Sequence, residues 1–80
     1  MPDQDILAKL TGILRDLLDD ESIVLAPTTM RQDVSGWDSF AYVNFIVAVE
    51  GEFGIRFQVA DVEAFKTVGD IVSQITVLKG

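Results

Sequence analysis

Neither cysteine nor histidine occurs in this 80-residue sequence. Without cysteine there is no disulfide and no thiolate metal site. Without histidine there is no Ser–His–Asp triad, no Cys–His pair and no His-ligated zinc, and no side chain that ordinarily titrates near neutrality. Basic residues are scarce, six against thirteen acids, which leaves a net charge of −7. That sign works against nucleic acid and anionic membrane, because the chain cannot displace phosphate counterions. It favours partners with basic patches, whose complementary field speeds encounter. Long apolar runs are missing too: the longest, Phe45 to Val49, is far short of a membrane span or a signal-peptide core. The expectation is a soluble cytoplasmic monomer that neither binds nucleic acid nor inserts in a membrane.

What remains is globular. Apolar residues make up 49% and charged residues 24%, and the length suits one domain over residues 1–80. Ile6, Leu7, Leu10, Ile13, Leu14, Leu17 and Leu18 recur at helical spacing, which predicts a first helix from about Asp5 to Leu18. Asp3 and Asp5 lie near its start, where the helix dipole favours negative charge. A stretch without clear period follows from Asp19 to Asp38, punctuated by Pro27 and Ser35-Gly36. So long a loop in a small domain is functional or packed down, and Ile23, Val24, Leu25, Met30 and Val34 are the candidates to pin it.

A second helix is expected from Ser39 to Phe53, with Asp38 as its N-cap and Gly54 as its stop. Ile55-Arg56-Phe57 reads as an extended link and Asp61 to Phe65 as a brief helical turn. Thr67 then caps a last helix whose apolar face is Val68, Ile71, Val72, Ile75 and Leu78, with Asp70 completing an imperfect capping box. The fold class is all-α, a small bundle of three to four helices with a long loop between the first two.

The second helix is apolar on two faces. Tyr42, Phe45, Ile46, Val49 and Phe53 share an arc of about 100° that suits the core. Phe40, Val43 and Val47 lie opposite, among Asn44, Glu50 and Gly51. One explanation is a central helix buried all round. The other is an exposed strip beside Ser39 that docks a partner through Phe40, Val43, Asn44, Val47 and Glu50. Ser39 itself is either a helix cap or a modified residue. A helix N-terminus favours an attached phosphate. A nucleophilic role within the chain lacks a histidine base, so an acceptor that another enzyme modifies is the better reading.

Asp33-Val34-Ser35-Gly36-Trp37-Asp38-Ser39-Phe40 resembles the phosphopantetheine attachment site of acyl carrier proteins. Val49-Glu50-Gly51-Glu52-Phe53-Gly54-Ile55 is similar to the end of that family's second helix, and length, acidity and helix order match across nearly the whole chain. The Asp-Ser pair alone is weakly specific, whereas the combined spacing is strong. The resemblance implies an acyl-carrier bundle in which a phosphopantetheinyl transferase moves the 4′-phosphopantetheine of coenzyme A onto Ser39, with Asp38 in support. It also implies a carrier rather than an enzyme, shuttling acyl thioesters between loading and downstream transfer enzymes. Fatty-acid carriers place acids where this chain has Ala41 and Asn44, a glutamate where it has Gly51, and leucine where it has Phe40. These departures point to a specialised stand-alone carrier, of a fatty-acid-like, polyketide or lipid-modifying pathway, rather than the housekeeping one. Trp37-Asp38-Ser39 also occurs in carriers that load amino acids, so an aminoacyl carrier is an alternative. A non-covalent acidic helical interaction module is another. Calcium binding, suggested by Asp19-Asp20-Glu21, lacks the alternating acids and glycine of an EF-hand, and no metal site is expected.

Overall fold

The computed structural model describes residues 2–79, and helices are the only regular elements among them. They are α1 (Asp3–Leu18), α2 (Ser39–Phe53), the short α3 (Val59–Ala64) and α4 (Val68–Lys79), with one 3-10 turn at Arg31–Asp33. Helix α1 packs against both α2 and α4. Ile6, Leu10 and Leu14 of α1 meet Phe45, Val49 and Phe53 of α2 and Val68, Ile71 and Ile75 of α4 in one buried cluster. The all-α bundle anticipated from the periodicity is the one observed.

Local chemistry sets the ends. Helix α1 begins two residues earlier than expected, because the Pro2 carbonyl accepts the amides of Asp5 and Ile6 at 3.0 and 3.2 Å. It stops where Asp19 takes the left-handed cap conformation with φ 52°, which a short polar side chain tolerates better than most. Thr67 and Asp70 cap α4 reciprocally: Thr67 Oγ1 accepts the Asp70 amide at 3.3 Å and Asp70 Oδ2 accepts the Thr67 amide at 3.1 Å. The Lys66 and Thr67 amides hold the Asp70 carboxyl below its ordinary pKa. Leu78, assigned to the apolar face of this helix, is exposed in its last turn. Helix α3 runs Val59–Ala64 rather than from Asp61, and Phe57 and Phe65 stack edge-on at 5.3 Å across its two ends.

The long loop is packed down. Ile23 and Leu25 are buried, Met30 and Val34 half-buried, but Val24 is 75% exposed. The segment is extended there, so successive side chains alternate and Val24 points away from its two neighbours. Arg15 Nε donates to the Ile23 carbonyl at 2.6 Å. Farther along, the carbonyls of Pro27 and Thr29 accept the Gly69 and Val68 amides, both at 2.8 Å, and so satisfy the first turn of α4. That approach needs glycine: a Cβ on residue 69 would lie 2.8 Å from the Pro27 oxygen. Gly69→Ala is therefore expected to push the loop off α4 and lower unfolding free energy by about 1–2 kcal/mol, despite alanine's better helix propensity. Urea melts of the two proteins measure it, and an equal or more stable variant would show that the loop yields freely.

Candidate functional site

The loop ends in a turn at Gly36, whose φ of +84° favours glycine, and delivers Trp37 to the core and Asp38-Ser39 to the surface. Trp37 is 4% exposed and meets Phe45 edge-on at 5.1 Å, so it is the loop's main anchor beside Ile23 and Leu25. Asp38 is the cap of α2: its Oδ1 accepts the Ala41 amide at 2.9 Å and its carbonyl accepts the Tyr42 amide at 2.8 Å. Ser39 is the first residue of the helix and is exposed, and its hydroxyl makes no hydrogen bond among the described residues. The capping explanation of Ser39 is thereby corrected, since the neighbouring carboxylate does that work. The hydroxyl stands at the positive end of the α2 dipole, where an anion is stabilised.

Along α2 the two faces separate. Phe45, Ile46, Val49 and Phe53 are buried, and Gly54 closes the helix in a left-handed conformation with φ 65°. Tyr42 is half-buried rather than core, and its hydroxyl donates to the Val62 carbonyl of α3 at 2.9 Å. Burial pushes its pKa up, with the Arg31 guanidinium opposing. On the outer face Phe40, Val43 and Val47 are 78%, 57% and 61% exposed, and Asn44 is exposed beside them. The idea that α2 is buried all round is set aside by these exposures. Glu50 departs from the expected outward position. It is half-buried, and its Oε2 accepts the Phe57 amide at 2.8 Å, tying the end of α2 to the link before α3. Sequence gave no warning of this, because the partner lies seven residues on in a stretch without period. Glu52, the other acid of α2, pairs with Lys9 at 3.7 Å.

Beside Ser39 an open groove of about 620 Å³ runs between α2 and α3. Ser39, Tyr42 and Val43 form one side, Val62, Glu63 and Phe65 another, and Arg31 and Lys66 line it from the 3-10 turn and the link before α4. Nothing in the local sequence around Ser39 announces these last two residues. Among the described residues no three potential metal-ligating side chains converge, and no helix is long and apolar enough to cross a membrane. The arrangement offers an accessible hydroxyl at a helix start, with no histidine in the chain to act as its base and no carboxylate hydrogen-bonded to it among the described residues.

Comparison with known proteins agrees with this geometry. A family model described as the phosphopantetheine attachment site matches residues 4–75. The acyl carrier protein of Thermotoga maritima is 38% identical over 73 residues, 90% of this chain and 89% of that protein. Acyl carrier protein MbtL of Mycolicibacterium paratuberculosis is 32% identical over 74 residues, 92% of this chain and 83% of that protein. The solution NMR structure of holo acyl carrier protein from Geobacter metallireducens superposes with a TM-score of 0.84 at 36% identity, covering 91% of this chain and 84% of the other.

Proposed function

Because this chain belongs to the acyl carrier protein family, we propose that Ser39 is the residue to which its 4′-phosphopantetheine is attached. The protein is a carrier and not an enzyme, and that group is its covalent cofactor. The exposed, unbonded Ser39 hydroxyl at the start of α2 carries the reading. The residues fit the group: the helix N-terminus suits its phosphate, and the groove beside Ser39 offers a polar and an apolar wall. When bound, the cofactor supplies the thiol that this cysteine-free chain lacks, and acyl groups travel on it as thioesters. Ser39 Oγ forms a bond to the pantetheine-side phosphorus of coenzyme A as the pyrophosphate link breaks and adenosine 3′,5′-bisphosphate leaves. The hydroxyl proton passes to a base of the transferase, since this chain has no histidine. Asp38 supports the step by fixing the first turn of α2 and keeping Ser39 outward.

Residues 1–80 act as one carrier domain in the cytoplasm, as a monomer. The partners are the phosphopantetheinyl transferase and acyl-handling enzymes. The net charge of −7 steers the domain toward their basic patches, while contact itself is made through Phe40, Val43, Asn44 and Val47. Both glutamates of α2 are engaged within the domain, so this contact is apolar. An uncharged docking face at Phe40, Val43, Asn44 and Val47 suits a specialised acyl pathway better than the acidic face of a fatty-acid carrier.

Intact mass before and after incubation with coenzyme A and a broad-specificity transferase tests the attachment: a gain of one arm supports it, and no gain beside a working control carrier ends it. Val43→Asp tests the docking face. A charge in an apolar contact is expected to cost about 2 kcal/mol, on the order of thirty-fold in the transferase KM. An unchanged KM would move the contact elsewhere.

A further inference from the structure

Of the six cations in the chain, four lie away from the Ser39 groove. Lys9 pairs with Glu52, Arg15 donates to the Ile23 carbonyl, and Lys79 donates to the Phe53 carbonyl at 3.3 Å. Arg56 lies beside Val47 and Gly54, toward the other end of α2. Arg31 and Lys66 are the two that line the groove, and they reach it from different elements. Neither forms an ion pair with a carboxylate among the described residues, although acids outnumber bases thirteen to six. The Arg31 guanidinium lies over the Tyr42 ring, 5.4 Å from its centre. Tyr42 is three residues from Ser39 on the same helix, which places the two as surface neighbours. The Lys66 charge is the smallest of the influences that lower the Asp70 pKa, and Glu63 is the one acid among the groove's lining residues. Two cations and one acid thus line the groove of a chain whose net charge is −7.

We propose that Arg31 and Lys66 form the seat of the phosphodiester that joins the cofactor to Ser39, and that they hold the first part of the arm in this groove. The inference rests on Ser39 as the attachment residue. A phosphodiester keeps one negative charge at neutral pH and presents two non-bridging oxygens. The planar fork of Arg31 matches those oxygens, and Lys66 supplies a mobile point charge. The next carbon but one of the arm bears two methyl groups, for which Val62 and Phe65 supply an apolar wall. The groove's unpaired charge and its apolar side then serve a single ligand.

The experiment uses ¹⁵N-labelled protein before and after loading with coenzyme A and a transferase, with the arm verified by intact mass. Loading is expected to shift the Arg31 side-chain Nε and the amides of Val62, Glu63 and Lys66. Salt is expected to shrink those changes, as the screening length falls from about 10 Å at 0.1 M to about 3 Å at 1 M. The double variant Arg31→Gln/Lys66→Gln is expected to lose most of the groove shifts while still gaining the arm, and Arg31→Lys, which keeps the charge without the fork, to keep only part of them. Lys66→Gln alone carries the test where loss of the Tyr42 contact disturbs the fold. Shifts confined to the neighbours of Ser39, or groove shifts that persist undiminished without the cations, overturn the seat. A missing mass gain overturns the Ser39 assignment instead, so the two failures are distinguishable.

Discussion

Ser39→Ala is expected to remain at its unmodified mass after incubation with coenzyme A and transferase, while its melting temperature stays within a few degrees of the parent. The two halves have separate physical grounds. The Ser39 hydroxyl is exposed and makes no hydrogen bond among the described residues, so its removal costs the fold within about 0.5 kcal/mol, as for most surface substitutions. Alanine is also a good helix former. The cap survives, because it belongs to Asp38 Oδ1 and the Ala41 amide. Loading has no such reserve. Ser35, the nearest exposed serine, lies in the turn before Gly36 and not at a helix start, and Ser22 is bonded to Asp20 at 2.6 Å. Asp38→Asn separates the cap from the charge: asparagine caps as well as aspartate, so a drop in loading with unchanged melting would assign the carboxylate to transferase recognition. An alanine variant that still gained an arm would remove Ser39 from the centre of the account.

How much of this was legible in the chain varied with the range of the interaction. The bounds of α2 could be read because both ends are local: Asp38 bonds three residues on, and Gly54 supplies a positive φ at once. The buried residues of α1 could be read because Ile6, Leu10 and Leu14 repeat every four residues. The site was legible for the same reason, since Asp38 and Ser39 are adjacent. At Val24 the alternation of buried and exposed side chains, and not apolar character, decides which side faces the core. Other features depend on partners far apart in sequence. Glu50 is withdrawn from the docking face by the Phe57 amide. The start of α4 is satisfied by Pro27 and Thr29, some forty residues earlier. Arg31 and Lys66 meet at one groove from opposite halves of the chain. No window of sequence contains such pairs, so only the packed fold assembles them.

Trp37→Ala is expected to produce the reverse of the serine variant, a large loss of stability with the acceptor hydroxyl intact. The indole is 4% exposed, meets Phe45 edge-on at 5.1 Å and approaches Tyr42 at 6.2 Å. Truncating so large a buried side chain costs about 3–5 kcal/mol. A domain of this length holds about 4–12 kcal/mol in total, so the variant is left near the edge of folding. With about 4–8 °C lost per kcal/mol in a domain of this size, the melting temperature is expected to fall by roughly 12–40 °C. Trp37→Phe separates packing from polarity. It keeps an aromatic ring against Phe45 and removes an indole N–H that is buried without a protein acceptor, so part of the lost contact is offset by relief of that penalty. Its melting temperature is expected to lie much closer to the parent than to the alanine variant. Loading assays on Trp37→Ala in the cold, where a folded fraction survives, are expected to retain the mass gain at Ser39, since Asp38 still caps α2 through a bond within three residues. The consequence is a division of labour between adjacent positions: Trp37 fixes the loop from below, and Ser39 is presented above it. An alanine variant that melted within a few degrees of the parent would show that Ile23, Leu25 and the Pro27–Gly69 contact hold the loop without the indole.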